Sequence, residues 1–589
     1  MKKLGGLFGI LGMMHNRWKE ESVIKLLIYG MMLILSVLFV AVLPLGHDLH
    51  FHLYRIGAMA EELERTSFSI PIRILSVSYD NYGYGVPLFY GDLLLYIPAM
   101  LVTFGMEAVT AFKMLLVGIF WLTFAAMYHQ IYRSSASGEF AFLAAVFYNF
   151  STYLLLDLCI RMAIGEACAC IFLPFVFCSF YNILYQPKKG DWLYLTIGMS
   201  GLILSHNLTA IFTAGILGIW TILQIHRIIN KKAISSIVLA AFTTFGLTAS
   251  YTFAFIEANM VQRYHIPGNN EYQMEEFVKR TFELVDFFLP YDIKRGMSIL
   301  FHFNWDTEIW RPGAIGISLL AILFLEVKTR RCKKDKVLLV SFWISVFLYL
   351  CMFIRPILDW AKQFMSFMQF GWRILLFCTF AFAVYAAYLL HYYYGKRWQT
   401  VYVVLAILTA CYTLVPRYVY QIYLNYRGME YIQTINEEYY EHYIMEYSPN
   451  SGDVMYLPEG VSGYLYEERG ERVECNHEDV KYEFTRQGNK CRLTVSNNSY
   501  NDTTFELPLY YYKGYAAVDR NMGNYLTVSP SENKLVMISL NGSIRETDLE
   551  IWYQGTFVQM LGDWVSGMTL LVLLLYGVFY LRSLRRLRS

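Results

Sequence analysis

Apolar runs close to bilayer length recur along almost the whole chain, and they constrain its fold more than any other feature. They lie near 24–45, 112–131, 139–157, 166–184, 191–205, 208–225, 233–255, 313–326, 336–354, 373–393, 398–417 and 563–581. Each approaches the ~20 residues that a helix needs to cross a hydrocarbon core. Lipid offers the backbone no hydrogen bonds, so runs of this kind fold as helices packed on one another. A mean hydropathy of +0.36, with 56% hydrophobic and 17% aromatic residues, fits a mainly α, polytopic membrane protein. The net charge of +2 gives nucleic-acid binding no compositional support. The first run reads as a retained helix, being long enough to span and lacking the small-residue cleavage site of a secretory signal.

Positive charge orients the runs. Lys188-Lys189, Arg227 with Lys231-Lys232, Lys328 to Lys336, Lys396-Arg397 and Arg582 to Arg588 mark cytoplasmic ends, as do Lys2, Lys3, Arg17, Lys19 and Lys25. The run Leu88 to Phe104 is apolar enough to cross, but a crossing there inverts every later loop, and it contains Asp92 and Pro98. It is expected to be re-entrant or interfacial. About 12 spans with both ends inside then follow. Asp48 to Asn81, Arg161 to Glu166, Ser205-His206-Asn207, 256–312, 355–372 and 418–560 all fall on the outer side.

The expected organisation is a transmembrane domain over 1–417 with a first outer loop at 46–111. An extracytoplasmic β-rich domain over 418–560 follows, then a last span and basic tail over 561–589. Strand-like runs at Tyr482–Phe484, Cys491–Val495, Thr503–Tyr512 and Lys534–Leu540 alternate with turns at Gln487-Gly488-Asn489, Asn497-Asn498 and Asn541-Gly542. They predict a small antiparallel sandwich. Eight of the ten cysteines lie in or beside apolar runs, where Cys acts as a small hydrophobe. Cys475 and Cys491 are open to two readings, a disulfide or two free thiols, and no CxxC metal spacing exists.

The polar motifs cluster on the outer side. Asp48, His52 and Arg55 share a helix face at i, i+4 and i+7, a pattern suited to positioning an acidic substrate and accepting a proton. The H-x-x-H-x-H of His47, His50 and His52 is equally open to metal binding, or to an interfacial helix with its polar side in water. Arg73 precedes the loop Tyr79 to Pro87, where Asp80 and Asn81 sit among tyrosines that would stack on sugars or line a membrane-interface belt. Arg161 and Glu166 bracket a short turn and either pair with each other or leave Arg161 for a phosphate. Ser205-His206-Asn207 is a polar break, either cavity-lining or a hairpin turn. Gln369 and Arg373 are expected on one helix face, with Trp372 as an anchor. Asp92 and Asp157 read as isolated charges.

Asp48 to Arg55, then Tyr82-Gly83-Tyr84-Gly85-Val86-Pro87-Leu88-Phe89-Tyr90, resemble bacterial polytopic proteins described as 6-pyruvoyl-tetrahydropterin synthase-related. Arg161 to Glu166, Ser205-His206-Asn207 and Gln369 to Arg373 fit the same group. Leu507 to Tyr515 and the last span resemble YfhO-like membrane proteins. Both groups look like members of the GT-C superfamily of membrane glycosyltransferases. The resemblance implies a polyprenyl-phosphate-linked sugar as donor and an acidic residue of the first outer loop as base or substrate orienter. Asp48 matches that position but lacks the adjacent second acidic residue of the commonest pattern, which weakens a metal-assisted mechanism; a divalent metal stays open as a cofactor. Nothing in the chain suggests a soluble pterin-binding fold.

The expected function is therefore transfer of a sugar from a polyprenyl-phosphate donor to an envelope polymer, lipid or protein, at the outer face of the bacterial cytoplasmic membrane. Asp48 would be the general base, with His52 and Glu166 orienting it or the acceptor. Arg161 and Arg373, with Arg55, would hold the departing phosphate, and Asp80, Asn81, His206 and Gln369 complete the substrate contacts. The alternative is a non-catalytic lipid-phosphate transporter or an envelope-assembly scaffold using the same cavity.

Overall fold

The computed structural model describes residues 22–44, 46–265, 271–291, 293–294, 297, 311–312, 315–426, 435–445, 454–461, 465–487, 489–498 and 501–586. Lys2, Lys3, Arg17, Lys19, much of the 256–312 loop, Gly488 and the end of the basic tail lie outside the described residues. Every apolar run of the sequence forms helix. Among the described residues seven helices are long and apolar enough to cross a membrane, and two further pairs, bent by 44° and 102°, pass the same test jointly. The chain is a multi-pass membrane protein. The remaining runs form helices of 13, 17 and 14 residues, so about twelve full-length spans is an overcount by length.

In chain order the helices are α1 (Ser22–Ala41), α2 (Leu49–Arg65), α3 (Tyr96–Thr103), α4 (Ala108–Ser135), α5 (Gly138–Asn149) and α6 (Thr152–Leu156). They continue with α7 (Ile164–Tyr185), α8 (Asp191–Ile203), α9 (Asn207–Leu223), α10 (Lys231–Val261), α11 (Glu271–Lys279) and α12 (Ile315–Lys328). Last come α13 (Lys336–Cys351), α14 (Arg355–Met365), α15 (Leu375–Tyr393), α16 (Lys396–Tyr426) and α17 (Phe557–Arg586). Side-chain caps fix several starts: Ser137 accepts from Phe140 N, Asn230 from Lys232 N, and Asp335 from Val337 N and Leu338 N. Pro356 in the first turn of α14 starts a new helix, so the chain turns by 102° after α13. The run 88–104 yields only the eight-residue α3, too short to cross.

The bundle has two chemically distinct ends. At one, Lys188 donates to the carbonyls of Arg133 and Ser134, Arg133 pairs with Asp191, and Lys396 lies 3.0 Å from Glu139. These are the basic loops. At the other end the starts of α2, α7 and α9 converge with the segment before α15.

Between Glu474 and Tyr553 two antiparallel sheets enclose a core that includes Leu493, Val495, Phe505, Ile538, Leu549 and Ile551. With strands numbered in sequence, β1 (Glu474–Cys475), β4 (Thr503–Tyr510), β8 (Leu535–Leu540) and β7 (Val528–Pro530) form one sheet in that order. The other runs β2 (Val480–Gln487), β3 (Lys490–Asn497), β9 (Glu546–Tyr553), β5 (Tyr515–Asp519) and β6 (Tyr525–Leu526). In β3, Cys491, Leu493 and Val495 point inward while Arg492 points out and meets Asp548 of β9 at 2.7 Å. Cys475 and Cys491 belong to different sheets and are free thiols.

The Tyr79–Tyr84 loop serves neither as a sugar platform nor as a membrane belt. Tyr79, Tyr82 and Tyr84 are buried: Tyr79 packs edge-on against Tyr466 and Tyr510, Tyr82 and Tyr84 tilt against Tyr510 and Tyr456, and Tyr82 Oη donates to Gly470 O at 2.6 Å. They join the segment between α2 and α3 to the sandwich. α17 then returns along α10, where Gly246 and Gly562 leave no room for a Cβ against Thr569 and the Ala249 carbonyl.

Candidate active site

Asp48 occupies the N-cap position of α2, but its side chain makes no cap hydrogen bond. Its backbone N–H donates to the carbonyl of Arg161 at 2.8 Å, and His47 N donates to Ile160 O at 3.3 Å. The loop between α1 and α2 is thereby fixed to the turn between α6 and α7. That turn begins with π-helical Asp157–Arg161 and ends with Met162 in the left-handed region at φ 55°. A π turn shifts side chains off the helical register, a device common at functional sites.

The register shift gathers three acidic and two basic groups. Arg161 Nη1 bonds Asp157 and lies 3.0 Å from Glu166 Oε2. Tyr153 Oη donates to Glu166 Oε1 at 2.5 Å, and the Arg161 guanidinium sits 4.3 Å over the buried Trp372 ring. Arg373 Nε lies 3.8 Å from Glu166 Oε2 without a hydrogen bond of its own, while its Nη1 donates to Met368 O at 2.7 Å. Asp157 and Glu166 are buried and committed to Arg161. Asp48 is half-buried, and its carboxylate makes no hydrogen bond or ion pair among the described residues.

Electrostatics follow from this arrangement. Desolvation raises the Asp48 carboxyl above its ordinary value; Arg161 and Arg373 pull it down and Glu166 pushes it up, without reversing the rise. Burial holds the His206 imidazole down at about 3, with Glu166 opposing and Arg373 and Arg161 assisting. His206 is therefore neutral at physiological pH. It caps α9, accepting from Thr209 N at 3.4 Å, so the Ser205-His206-Asn207 break is a helix junction that also adjoins the charged cluster. Lost hydration and the charges of Arg161, Arg417 and Arg280 push His47 down to about 4. Arg280 and Arg417, which the sequence reading did not single out, thus lie near enough to act on His47.

Asp48, Arg161, Glu166, His206 and Arg373 come together. The other expected site residues do not. Arg55 is buried, ion-paired with Asp92 and sandwiched by Tyr90 and Phe51, so it is not available to a phosphate. Asp92 and Asp157 are not isolated charges, because Arg55 and Arg161 neutralise them. His52 packs on the buried face of α2 against Tyr90, with Nδ1 3.5 Å from Arg55 Nη1, rather than orienting the Asp48 carboxylate. Asp80 and Asn81 lie in a left-handed turn at the sandwich, where Arg65 reaches Asn81 Oδ1 at 3.5 Å and Arg486 its carbonyl at 2.8 Å. Gln369 has φ 65° between two 3₁₀ turns, and α15 starts only at Leu375, so it shares no helix face with Arg373.

Among the described residues no group of three or more His, Cys, Asp or Glu is arranged to hold a metal ion. The histidine motif is dispersed: His50 meets Tyr439 at 3.2 Å, His52 faces Arg55, and His47 is exposed. An apolar cavity of about 80 Å³ opens among α5, α12, α15 and α16. Tyr153, whose hydroxyl holds Glu166, lines it.

No protein-family model and no curated protein matches the chain. Among solved structures it is similar to the arabinofuranosyltransferase AftD from Mycobacteria, with 11% identity and a TM-score of 0.36 over 67% of this chain and 27% of that one. It is also similar to the Archaeoglobus fulgidus oligosaccharyltransferase, with 14% identity and a TM-score of 0.32 over 70% of this chain and 57% of that one. The chain thus spans less than two thirds of either protein. Overlaps this loose fix neither fold nor activity.

Proposed function

We propose that this protein is a membrane glycosyltransferase that moves a sugar from a polyprenyl-phosphate donor to a cell-envelope acceptor, outside the bacterial cytoplasmic membrane. The observation that carries this reading is the unengaged Asp48 carboxylate, held with raised proton affinity beside two other carboxylates, Asp157 and Glu166, that are both paired with Arg161. A base of this kind removes the proton of an acceptor hydroxyl as its oxygen attacks the anomeric carbon. The bond from that carbon to the phosphate oxygen breaks, and the phosphate leaves as an anion.

Arg373, with an unbonded Nε at the cluster, is placed to stabilise the charge that develops on the departing phosphate. Arg280 and Arg417 add positive field beside His47. Arg161 acts differently from the expectation for it: bound by two carboxylates, it fixes Glu166 and the turn that holds Asp48. The apolar cavity next to Tyr153 supports a donor with a hydrocarbon tail.

Asp48→Asn tests the reading. Transfer from a radiolabelled polyprenyl-phosphate sugar should fall about 10²–10⁴-fold, with expression and membrane insertion unchanged. A variant as active as wild type removes Asp48 from the mechanism. A wild-type protein that binds the donor and never turns it over favours a lipid-phosphate transporter or assembly scaffold instead.

A further inference from the structure

A second cavity, of about 230 Å³, lies where the C-terminal end of α2, the 66–83 loop, the sandwich and the start of α17 meet. It shares no residue with the Asp48 cluster. Glu62 lines it, 14 positions beyond Asp48, which at 1.5 Å per residue is ~21 Å along the helix.

The wall chemistry limits what fits. Glu62 is buried and accepts from Ser76 N at 3.0 Å and from the Ser76 hydroxyl. Each guanidinium at the cavity has a carboxylate: Arg65 has Glu61 at 2.7 Å, Arg73 has Asp563 at 2.6 Å, and Arg486 has Glu471 at 3.4 Å. An anion needs charged donors in surplus, and here they are matched. A metal needs converging ligands, and the described residues offer no such group. What remains accessible is a mixture of amide donors and acceptors from Asn81, Asn489 and Gln554, beside the rings of Tyr515 and Tyr553, whose centres are 5.3 Å apart.

A sugar hydroxyl both donates and accepts, so a wall mixing both roles satisfies it, while aromatic faces cover its C–H surfaces. We propose that this inter-domain cavity binds an uncharged saccharide segment, distant from the transfer centre, as part of the acceptor. Only its assignment to the acceptor rests on the transferase reading; saccharide binding does not. Burial pushes the Glu62 carboxyl up, while its bonds from Ser76 and the charge of Arg65 pull it down.

The test uses full-length protein in lipid nanodiscs, titrated calorimetrically with tetrasaccharides of glucose, galactose, mannose and N-acetylglucosamine, and separately with inorganic phosphate. At least one tetrasaccharide should bind saturably to wild type and equally well to Asp48→Asn. Ser69→Trp, at the exposed rim, should weaken it at least tenfold. Asn81→Ala, which removes a polar wall group without adding bulk, should weaken it several-fold and stands in if the tryptophan disturbs folding. No saturable binding across the four sugars, unchanged affinity in a folded Ser69→Trp or in Asn81→Ala, loss of binding in Asp48→Asn, or saturable phosphate binding in their place would overturn the proposal. Failure of the transferase reading shows separately, as absent donor turnover with saccharide binding intact.

Discussion

The Asp48 N–H donates to the Arg161 carbonyl at 2.8 Å, yet the side chains of these two residues do not pair. Arg161 is taken by Asp157 and Glu166. Two carboxylates against one guanidinium leave that triad without surplus positive charge to capture Asp48. The backbone contact therefore fixes where Asp48 sits, while the triad keeps its carboxylate available. Burying the ion pairs is costly in itself, but removing one partner costs far more, which makes the triad a rigid platform.

This arrangement predicts opposite pH shifts for two variants. A general base works only deprotonated, so transfer should be present above the Asp48 pKa and lost as pH falls through it. In wild type that acid limb lies above the ordinary carboxyl value of 3.8, because desolvation raises it. Arg373 lowers the Asp48 pKa, so Arg373→Gln should move the limb to higher pH. Glu166 raises it, so Glu166→Gln should move the limb to lower pH. The pH profile of kcat/KM for each variant checks this, and shifts of the same sign in both would contradict it.

Much of this was legible in the sequence, and the failures have physical causes. Apolar run lengths located the helices because lipid leaves the backbone few options. Loop charge brought Asp48, Arg161, Glu166, His206 and Arg373 to one face. It carried no distances, so Arg55 was assigned to phosphate although Asp92, 37 positions away, neutralises it. Asp80 and Asn81 were misplaced for a related reason: Tyr79 beside them buries against Tyr466 and Tyr510, partners 387 and 431 positions away. Arg417 had a usable signal, since a charge inside an apolar run is functional by default. Arg280 and Tyr153 had none.

Arg55 and Asp92 should matter to folding more than to chemistry. Asp92→Ala leaves a guanidinium buried without its counter-charge, a loss of about 3–5 kcal/mol. Replacing both, as in Arg55→Met with Asp92→Ala, should recover most of it. Thermal unfolding in detergent measures each; a double variant as unstable as the single would show that the pair stabilises by more than charge compensation.

Gly91 sets the position of the His206 junction. A Cβ there would lie 2.4 Å from both the carbonyl carbon and oxygen of Leu204, backbone that cannot swing aside. Gly91→Ala should cost about 1–3 kcal/mol and lower transfer by displacing His206. Gly118→Ala, with open space around its Cβ, is the control and should be close to neutral. Equal melting temperatures for the two variants would contradict the packing argument.

The apolar cavity gives a prediction specific to the donor's tail. Ala383 lines it on α15, some distance in sequence from any charged residue of the cluster. Ala383→Phe would fill part of its roughly 80 Å³. A tail held equally in the ground and transition states contributes uniform binding, so its loss should raise KM and leave kcat nearly unchanged. The effect should appear with a long polyprenyl donor and vanish with a short-tailed analogue that never reaches the cavity. Steady-state kinetics with the two donors separates these cases. An equal effect on both, or a fall in kcat with KM unchanged, would mean that the cavity supports the helices around Tyr153 and Glu166 and does not receive the tail.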